Sequence, residues 1–231
     1  MSFIADSFRM AVALILSGDS DVISAVVTSL SVALWSVLFA SVAGVPIGVA
    51  VTLGKFPMKS AVRLVLNSLM AMPTVVIGLL VYGFLSRQGP LGSIGLLFTP
   101  KAIIIGQTIL ATPVIANYTL SAIQGADDRI LPTARTLGAS NLQSLFQLAR
   151  EVRFGLIAAI IAGFGRVVSE VGVAMMLGGN IRMYTRTMTT AIALETSKGD
   201  FAFGLALGLI LVFVALAVNL FLTVAQEGLR A

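Results

Sequence analysis

The sequence predicts an all-α polytopic membrane protein, a fold class indicated by its composition, its long apolar stretches and the placement of its charges. Of its 231 residues, 58% are hydrophobic and 11% are charged, whereas a soluble domain carries about 25% charged residues. A transmembrane helix needs ~20 apolar residues, and stretches of this kind alternate here with short charged segments. We therefore expect a single domain over residues 1–231, with about five spans near residues 22–53, 61–85, 102–118, 154–177 and 201–224.

Residue types missing from the chain exclude several classes of function. There is no cysteine and no histidine, so disulfides, thiol chemistry and the usual zinc or haem ligands are excluded, and we expect no metal site. The net charge is +5, but there is no basic run of about five to eight residues, so we expect no nucleic-acid partner. The phosphate-binding motif G-x-x-x-x-G-K-[ST] is also missing. We therefore expect no cofactor on this chain, and any ATP and magnesium to be bound by a partner.

The N-terminal segment predicts a helix that lies along the membrane surface. Its apolar run, residues 10–16, follows Asp6 and Arg9. The run is too short to cross about 30 Å of hydrocarbon. An interfacial position suits a short segment that is apolar on one side and charged on the other.

Small residues mark one face of the first span. Ala40, Gly44 and Gly48 recur every four residues, which would let a neighbouring helix approach closely. Pro46 lies in the same turn and removes a backbone donor, so we expect a kink there.

Polar residues and prolines interrupt the second and third spans. Thr74 follows a proline in the second span, and Thr112 precedes one in the third, where Gln107 and Asn117 also occur. Such residues are tolerated at membrane depth where neighbouring helices or a wet cavity satisfy them. Hydrogen bonding between helices is the favoured interpretation for any single one, and a position on an anion path or at a docking surface is the alternative for Thr74 and Thr112.

Residues 126–153 form the longest charged and polar segment between two strongly apolar ones, so we expect them outside the lipid. The centre, residues 134–140, consists mostly of residues with small side chains and contains Gly138. Apolar residues follow at helical spacing: Leu142, Leu145, Phe146 and Leu148. The pattern predicts a short helix presented to a partner.

The fourth span contains a charged pair. Arg166 lies about 18 Å along the helix axis, close to the bilayer centre, where a charge costs at least ~3 kcal/mol unless it is paired or hydrated. Glu170 follows four residues later and can pair with the guanidinium from the same face. Small residues extend this row at Ala158, Ala162, Ala174 and Gly178. The row therefore predicts a face toward a second copy of the protein or toward a transport path.

The loop over residues 178–200 is rich in hydrogen-bond donors, among them Arg182, Thr185 and Arg186. A guanidinium offers a planar fork of donors that suits an oxyanion. The same groups would equally suit acidic residues on a docking protein. In the fifth span, Gly204 and Gly208 are again spaced for close packing.

The segment 126–153 resembles a cytoplasmic loop of the membrane subunits of ATP-binding-cassette (ABC) importers. In that family the loop contains Glu-Ala-Ala, then three residues, then Gly, and a helix follows. In this chain the positions of the Glu and the first Ala are occupied by Pro132 and Thr133. The second Ala corresponds to Ala134 and the Gly to Gly138. The resemblance implies a cytoplasmic coupling helix that seats in a groove of the ATPase subunit. The implied coupling residues are Ala134, Arg135, Leu137, Gly138, Ala139 and Ser140.

Other segments resemble the permeases of tungstate and molybdate importers: residues 86–92, 178–181, 185–187 and 189–192. This resemblance implies a type I importer permease in the cytoplasmic (inner) membrane of a bacterium or archaeon. It implies two permease copies, two ATPase subunits that bind ATP and magnesium, and an extracytoplasmic binding protein that delivers an oxyanion. Tungstate is the preferred cargo, and molybdate or another oxyanion is the alternative.

Two other classes remain as alternatives. A self-contained secondary transporter would use Arg166 and Glu170 as a titrating relay, but a second buried acid and an inverted repeat are not evident. A membrane-embedded enzyme is less favoured, because no nucleophile–base pair or metal-ligand cluster is evident. Dependence of uptake on an ATPase partner, rather than on proton motive force, separates the importer from the secondary transporter.

Overall fold

A computed structural model of the protein describes residues 2–228, and the predicted all-α class is confirmed over that range. The α-helices in chain order are α1 Ser2–Leu16, α2 Ser20–Leu53, α3 Lys59–Met70, α4 Thr74–Leu85, α5 Pro100–Gln124, α6 Ile130–Thr136, α7 Asn141–Glu151, α8 Arg153–Val168, α9 Gly172–Gly178, α10 Met188–Lys198 and α11 Phe201–Gly228. The assignment of residues 1–231 to one domain stays a prediction, and its residues 1 and 229–231 lie outside the described range.

The membrane spans are more broken than the sequence predicts. α2, α5 and α11 are long and apolar enough to cross a membrane, and two bent pairs raise the candidate spans to five. The predicted span 61–85 is α3 and α4, bent by 97°, and the predicted span 154–177 is α8 and α9, bent by 60°. Pro73 accounts for the first break, because it lacks an N–H and restricts the residue before it.

Two other sequence boundaries are corrected. The predicted span 102–118 is longer, because Thr99 caps α5 and the helix continues to Gln124. The predicted loop 178–200 contains α10, whose first turn is closed by a capping box between Thr187 and Thr190. Ser29 of α2 accepts a hydrogen bond from the Met188 N–H at 2.7 Å, which fixes the start of α10 against the bundle.

The predicted glycine face of α2 packs against α5. A β-carbon on Gly44 would lie 2.9 Å from the Thr112 carbonyl oxygen, and one on Gly48 would lie 2.6 Å from that of Ala116. Backbone therefore meets backbone at this contact, as small residues allow. Ala40 is fully buried in an apolar cluster that contains residues of both α2 and α5. Pro46 lies inside α2, which the structure shows as one helix.

The second halves of the two bent pairs, α4 and α9, run side by side. A β-carbon on Gly78 of α4 would lie 2.9 Å from the Met176 sulfur of α9. At the breaks themselves, a β-carbon on Gly172 would lie 2.9 Å from the Thr74 hydroxyl. Both half-helices therefore restart at the same level of the bundle.

The C-terminal helices form a hairpin that α1 covers. A β-carbon on Gly204 of α11 would lie 2.9 Å from the Thr196 hydroxyl of α10. A β-carbon on Gly208 would have no neighbouring atom within 4 Å. The rings of Phe3 and Phe201 lie 5.5 Å apart. The helix predicted for the N-terminus is present, and its interfacial position stays a prediction.

Candidate coupling and transport site

The segment 126–153 folds as two helices joined by a tight turn. α6 ends at Thr136, and Gly138 has a φ of +86°, a left-handed conformation that glycine adopts without a steric cost. The Ala139 N–H closes the turn on the Ala134 carbonyl at 3.0 Å. Ser140 then starts α7 through a capping box with Gln143.

The turn presents apolar side chains outward and anchors α7 inward. Leu137 is 81% exposed, and Leu142 and Phe146 are also exposed. Leu148 instead is buried in a cluster with Ile123 of α5. The apolar residues at helical spacing therefore lie on two faces of α7. One face is exposed, and the other packs on the bundle.

The connection from α7 to α8 is a single residue. Val152 is the C-cap of α7 and the N-cap of α8, and it is buried. The coupling segment therefore continues into the fourth span without a flexible linker.

An ion pair marks the entry to the coupling segment. The Arg129 guanidinium lies 2.7 Å from the Asp127 carboxylate, and hydrogen bonds from Arg129 hold the pKa of that carboxyl below its usual value. Beside it, a cavity of about 560 Å³ opens between α6 and α7, lined among others by Ala134, Leu137 and Ala139. Arg135, in the last turn of α6, lies outside this lining.

Arg166 and Glu170 are paired, but at a break rather than along one helix. Arg166 Nη1 lies 2.9 Å from Glu170 Oε2, and the side chains are 31% and 4% exposed. α8 ends at Val168, so Glu170 lies in the break, where its other oxygen accepts the Val173 N–H at 3.3 Å. The bend interrupts the predicted row, so residues before and after it do not share one face.

The two threonines proposed for the anion path have different surroundings. Thr74 lies at the start of α4, beside Gly172 and within reach of the Glu170 break. The Thr112 hydroxyl donates to the Thr108 carbonyl of its own helix at 2.7 Å. Thr74 is therefore near the charged pair, whereas Thr112 is satisfied locally.

The candidates in residues 178–200 make their polar contacts within the chain. Nε and Nη2 of Arg182 both donate to the Asp21 carboxylate, with Nε at 2.8 Å from Oδ1. Arg186 is half-buried and pairs with Glu195 at 3.3 Å. Thr185 is fully buried, and its hydroxyl donates to the Gly178 carbonyl at 2.6 Å. The structure therefore gives Thr185 a role in shaping the loop, and Arg182 is the most exposed of the three.

Sequence reasoning missed a polar stripe on α3. Lys59, Arg63 and Asn67 are spaced four residues apart, so they share one face of the helix. That spacing could have identified the stripe, although the predicted span begins only at residue 61. Lys59 caps the end of α2 by donating to the Thr52 and Gly54 carbonyls.

A helical bundle with several candidate spans, interrupted by a polar helix–turn–helix that exposes apolar side chains, is the architecture predicted for a transport permease. Residues 44–231 match the family described as binding-protein-dependent transport system inner membrane component. The chain belongs to this family.

Relatives and solved structures agree with this assignment. The chain is 40% identical over 219 residues to the tungstate uptake system permease protein TupB of Campylobacter jejuni, covering 95% of this chain and 92% of that one. It is 42% identical over 202 residues to a probable anion ABC transporter permease protein of Haloferax volcanii, covering 85% and 87%. The inward-facing MetNI methionine ABC transporter matches with a TM-score of 0.74 and 19% identity, covering 90% of this chain and 95% of that chain. That last likeness shows the fold, which is the one predicted.

Proposed function

We propose that this chain is the membrane-spanning subunit of an ATP-driven importer for an oxyanion, with tungstate as the cargo. The observation that carries the proposal is the α6–α7 turn, which displays apolar side chains outside the bundle and joins α8 directly. The cargo is inferred from the names of the relatives and from the resemblances in residues 86–92 and 178–192. An extracytoplasmic binding protein delivers the anion, and the complex lies in the cytoplasmic membrane of a bacterium or archaeon.

The coupling residues act as a docking surface for a separate ATPase. Leu137 is the exposed apolar anchor, and Gly138 allows the turn. Ala134 and Ala139 have small side chains, which let the ATPase approach the backbone closely. Because the chain carries no phosphate-binding motif, ATP and magnesium are bound by the ATPase. Closure of an ATPase pair would push on this turn and tilt α8.

A second copy of the chain completes the path. The open face of α8 carries small residues, and a β-carbon on Gly165 would meet nothing within 4 Å. Ala158, Ala162 and Ser169 line a cavity of about 340 Å³ between α8 and α11, together with larger apolar side chains such as Ile161 and Phe164. A face of small side chains favours helix packing over contact with lipid, so we place the homodimer contact there.

Reconstitution tests the function. The chain, its ATPase and its binding protein are placed in liposomes, and tungsten uptake is measured with ATP, without ATP, and with an ATPase unable to hydrolyse ATP. We expect uptake only with hydrolysis and binding protein. Uptake driven by a proton gradient without the ATPase would contradict the proposal and favour a secondary transporter.

Competition defines the cargo. Molybdate and sulfate are added in excess to the same assay, because all three are tetrahedral dianions that an arginine fork can bind. We expect molybdate to compete strongly and sulfate weakly. Equal transport of all three would contradict the assignment of tungstate and widen the cargo to oxyanions in general.

A further inference from the structure

A polar cleft lies between α3 and the C-terminal half of α5. It has a volume of about 540 Å³. Its polar lining consists of Arg63, Asn67, Asn117, Tyr118, Ser121 and Gln124. Leu66 and Leu120 meet in a buried cluster beside it, so the cleft is held open by an apolar contact between the two helices.

Arg63 is the one charged residue in this lining. The cleft has no acidic lining residue, and no carboxylate that the structure describes lies within ion-pair distance of Arg63. Its Nε is buried and has no hydrogen-bond partner. A guanidinium has five N–H donors and no acceptor, so this site offers positive charge and an unsatisfied donor.

The cleft is poorly suited to lipid. Arg63 lies four residues inside α3 and Asn117 seven residues from the end of α5, which at 1.5 Å per residue is about 6 and 10 Å from the helix ends. A guanidinium that faces hydrocarbon is costly unless it is paired or hydrated, and the exposed amides of Asn67 and Gln124 also need polar partners. Water with a bound anion would satisfy both kinds of group.

We propose that this cleft is an oxyanion-binding site on the release side of the transport path, with Arg63 as its main ligand. The inference rests on the proposed function, because it takes the cargo of that function as its ligand. The Asn67 and Gln124 amides and the Ser121 hydroxyl supply further donors. They surround a guanidinium whose planar fork suits a tetrahedral oxyanion.

The geometry favours weak, transient binding. The Asn117 amide already donates to the Pro113 carbonyl at 3.0 Å and contacts the Met70 sulfur at 3.1 Å. The cavity is far larger than one water, whose share of liquid volume is about 30 Å³. An anion would therefore keep part of its hydration shell, which suits a site that must release its cargo.

The test measures tungstate binding to the assembled permease–ATPase complex. The complex is held in nanodiscs of phosphatidylcholine without the binding protein, and bound tungsten is measured by equilibrium dialysis. We expect Arg63→Gln to weaken binding at least about tenfold, which is about 1.4 kcal/mol. Arg63→Lys keeps the charge without the fork and should fall between Arg63→Gln and the unmodified complex.

Lys55→Gln is the matched control. Lys55 is exposed in the segment before α3 and lies outside the cleft lining, so this variant removes one positive charge from the same region. Binding should stay within about twofold of the unmodified complex. Equal tungstate binding by the Arg63→Gln and unmodified complexes would overturn the proposal.

Two other outcomes would also overturn it. A lipid phosphate has the same chemistry, so bound lipid is measured by mass spectrometry in nanodiscs containing phosphatidylglycerol. If Arg63→Gln releases that lipid but leaves tungstate binding unchanged, the ligand is a headgroup. If both Arg63 variants fail to assemble with the ATPase or with a second permease, the cleft is a protein interface.

Uptake measurements separate this site from the proposed function. If the unmodified system imports tungstate and Arg63→Gln imports it equally well, the site is refuted and the function stands. If the unmodified system does not import tungstate but the complex binds molybdate through Arg63, the cargo is refuted and the site stands.

Discussion

The pair at the α8–α9 break gives the most discriminating stability prediction. Glu170 is nearly fully buried, whereas the Arg166 side chain keeps about a third of its surface. Replacing Arg166 by Met would leave the Glu170 carboxylate with the Val173 N–H as a hydrogen-bond donor, but without its cationic partner. Replacing Glu170 by Gln would leave a guanidinium that keeps about a third of its surface and an amide oxygen as a possible acceptor. The two single substitutions should therefore be unequal.

The magnitudes follow from this asymmetry. Removing one partner of a buried pair costs about 3–5 kcal/mol, because an uncompensated charge remains. We expect about 3 kcal/mol for Arg166→Met, the low end, since the site is partly open. Glu170→Gln and the double substitution Arg166→Met with Glu170→Gln should each cost about 1 kcal/mol, because neither leaves a buried charge. For a chain of this size, 1 kcal/mol shifts Tm by about 2–4 °C.

The assay is thermal unfolding of the purified complex at one heating rate, with each variant compared at equal protein and lipid. We expect the double substitution to have a higher Tm than Arg166→Met alone. Lys198→Gln, which removes a more exposed partner of Glu195, serves as the control and should change stability by at most about 1 kcal/mol. If Arg166→Met is as stable as the double substitution, the pair does not neutralise a buried charge and the reasoning is refuted.

Four further predictions can be checked separately. Gly48→Ala should cost about 1–3 kcal/mol because its β-carbon would overlap the α5 backbone, whereas Gly208→Ala has open space and should leave Tm unchanged or higher; equal losses would contradict this. Gly138→Trp should keep the protein in the membrane and abolish ATPase co-purification, and normal co-purification would refute that. Ser140→Ala should destabilise α7 by about 1 kcal/mol, seen as faster amide exchange in its first turn; unchanged exchange would argue against the cap. Arg186→Ala should lower anion uptake at equal expression, and undiminished uptake would remove that residue from docking and anion roles.

The sequence predicts best where one local rule decides the structure. The four-residue spacing of Gly44 and Gly48 predicts close packing, because only the missing side chains let α5 approach. Local rules also explain the turn at Gly138 and the start of α7 at Ser140 with Gln143, although the sequence predicts a single short helix in this segment. Hydrophobic length also predicts the number of apolar segments, since each needs to match the bilayer.

The features that sequence reasoning missed depend on tertiary contacts. The sequence predicts a loop over residues 178–200, but the structure forms α10 there, and the Thr189 hydroxyl near its start donates to the Glu170 carbonyl at 2.7 Å. Nothing local indicates that pairing across nineteen residues of chain. The sequence does not predict the α8–α9 break either. The four-residue spacing of Arg166 and Glu170 allows an ion pair both in a continuous helix and at a break. The proposed binding role of Arg63 likewise depends on a tertiary contact, because the C-terminal half of α5 forms the other side of its cleft.

The one-residue junction at Val152 has a mechanical consequence. A displacement of the α6–α7 turn cannot be absorbed between α7 and α8, since one buried residue ends the first helix and begins the second. The next break along that route is the bend after Val168. Motion applied at the α6–α7 turn would thus be carried along α8 to the break beside Glu170 and Thr74, where α4 and α9 pack against each other.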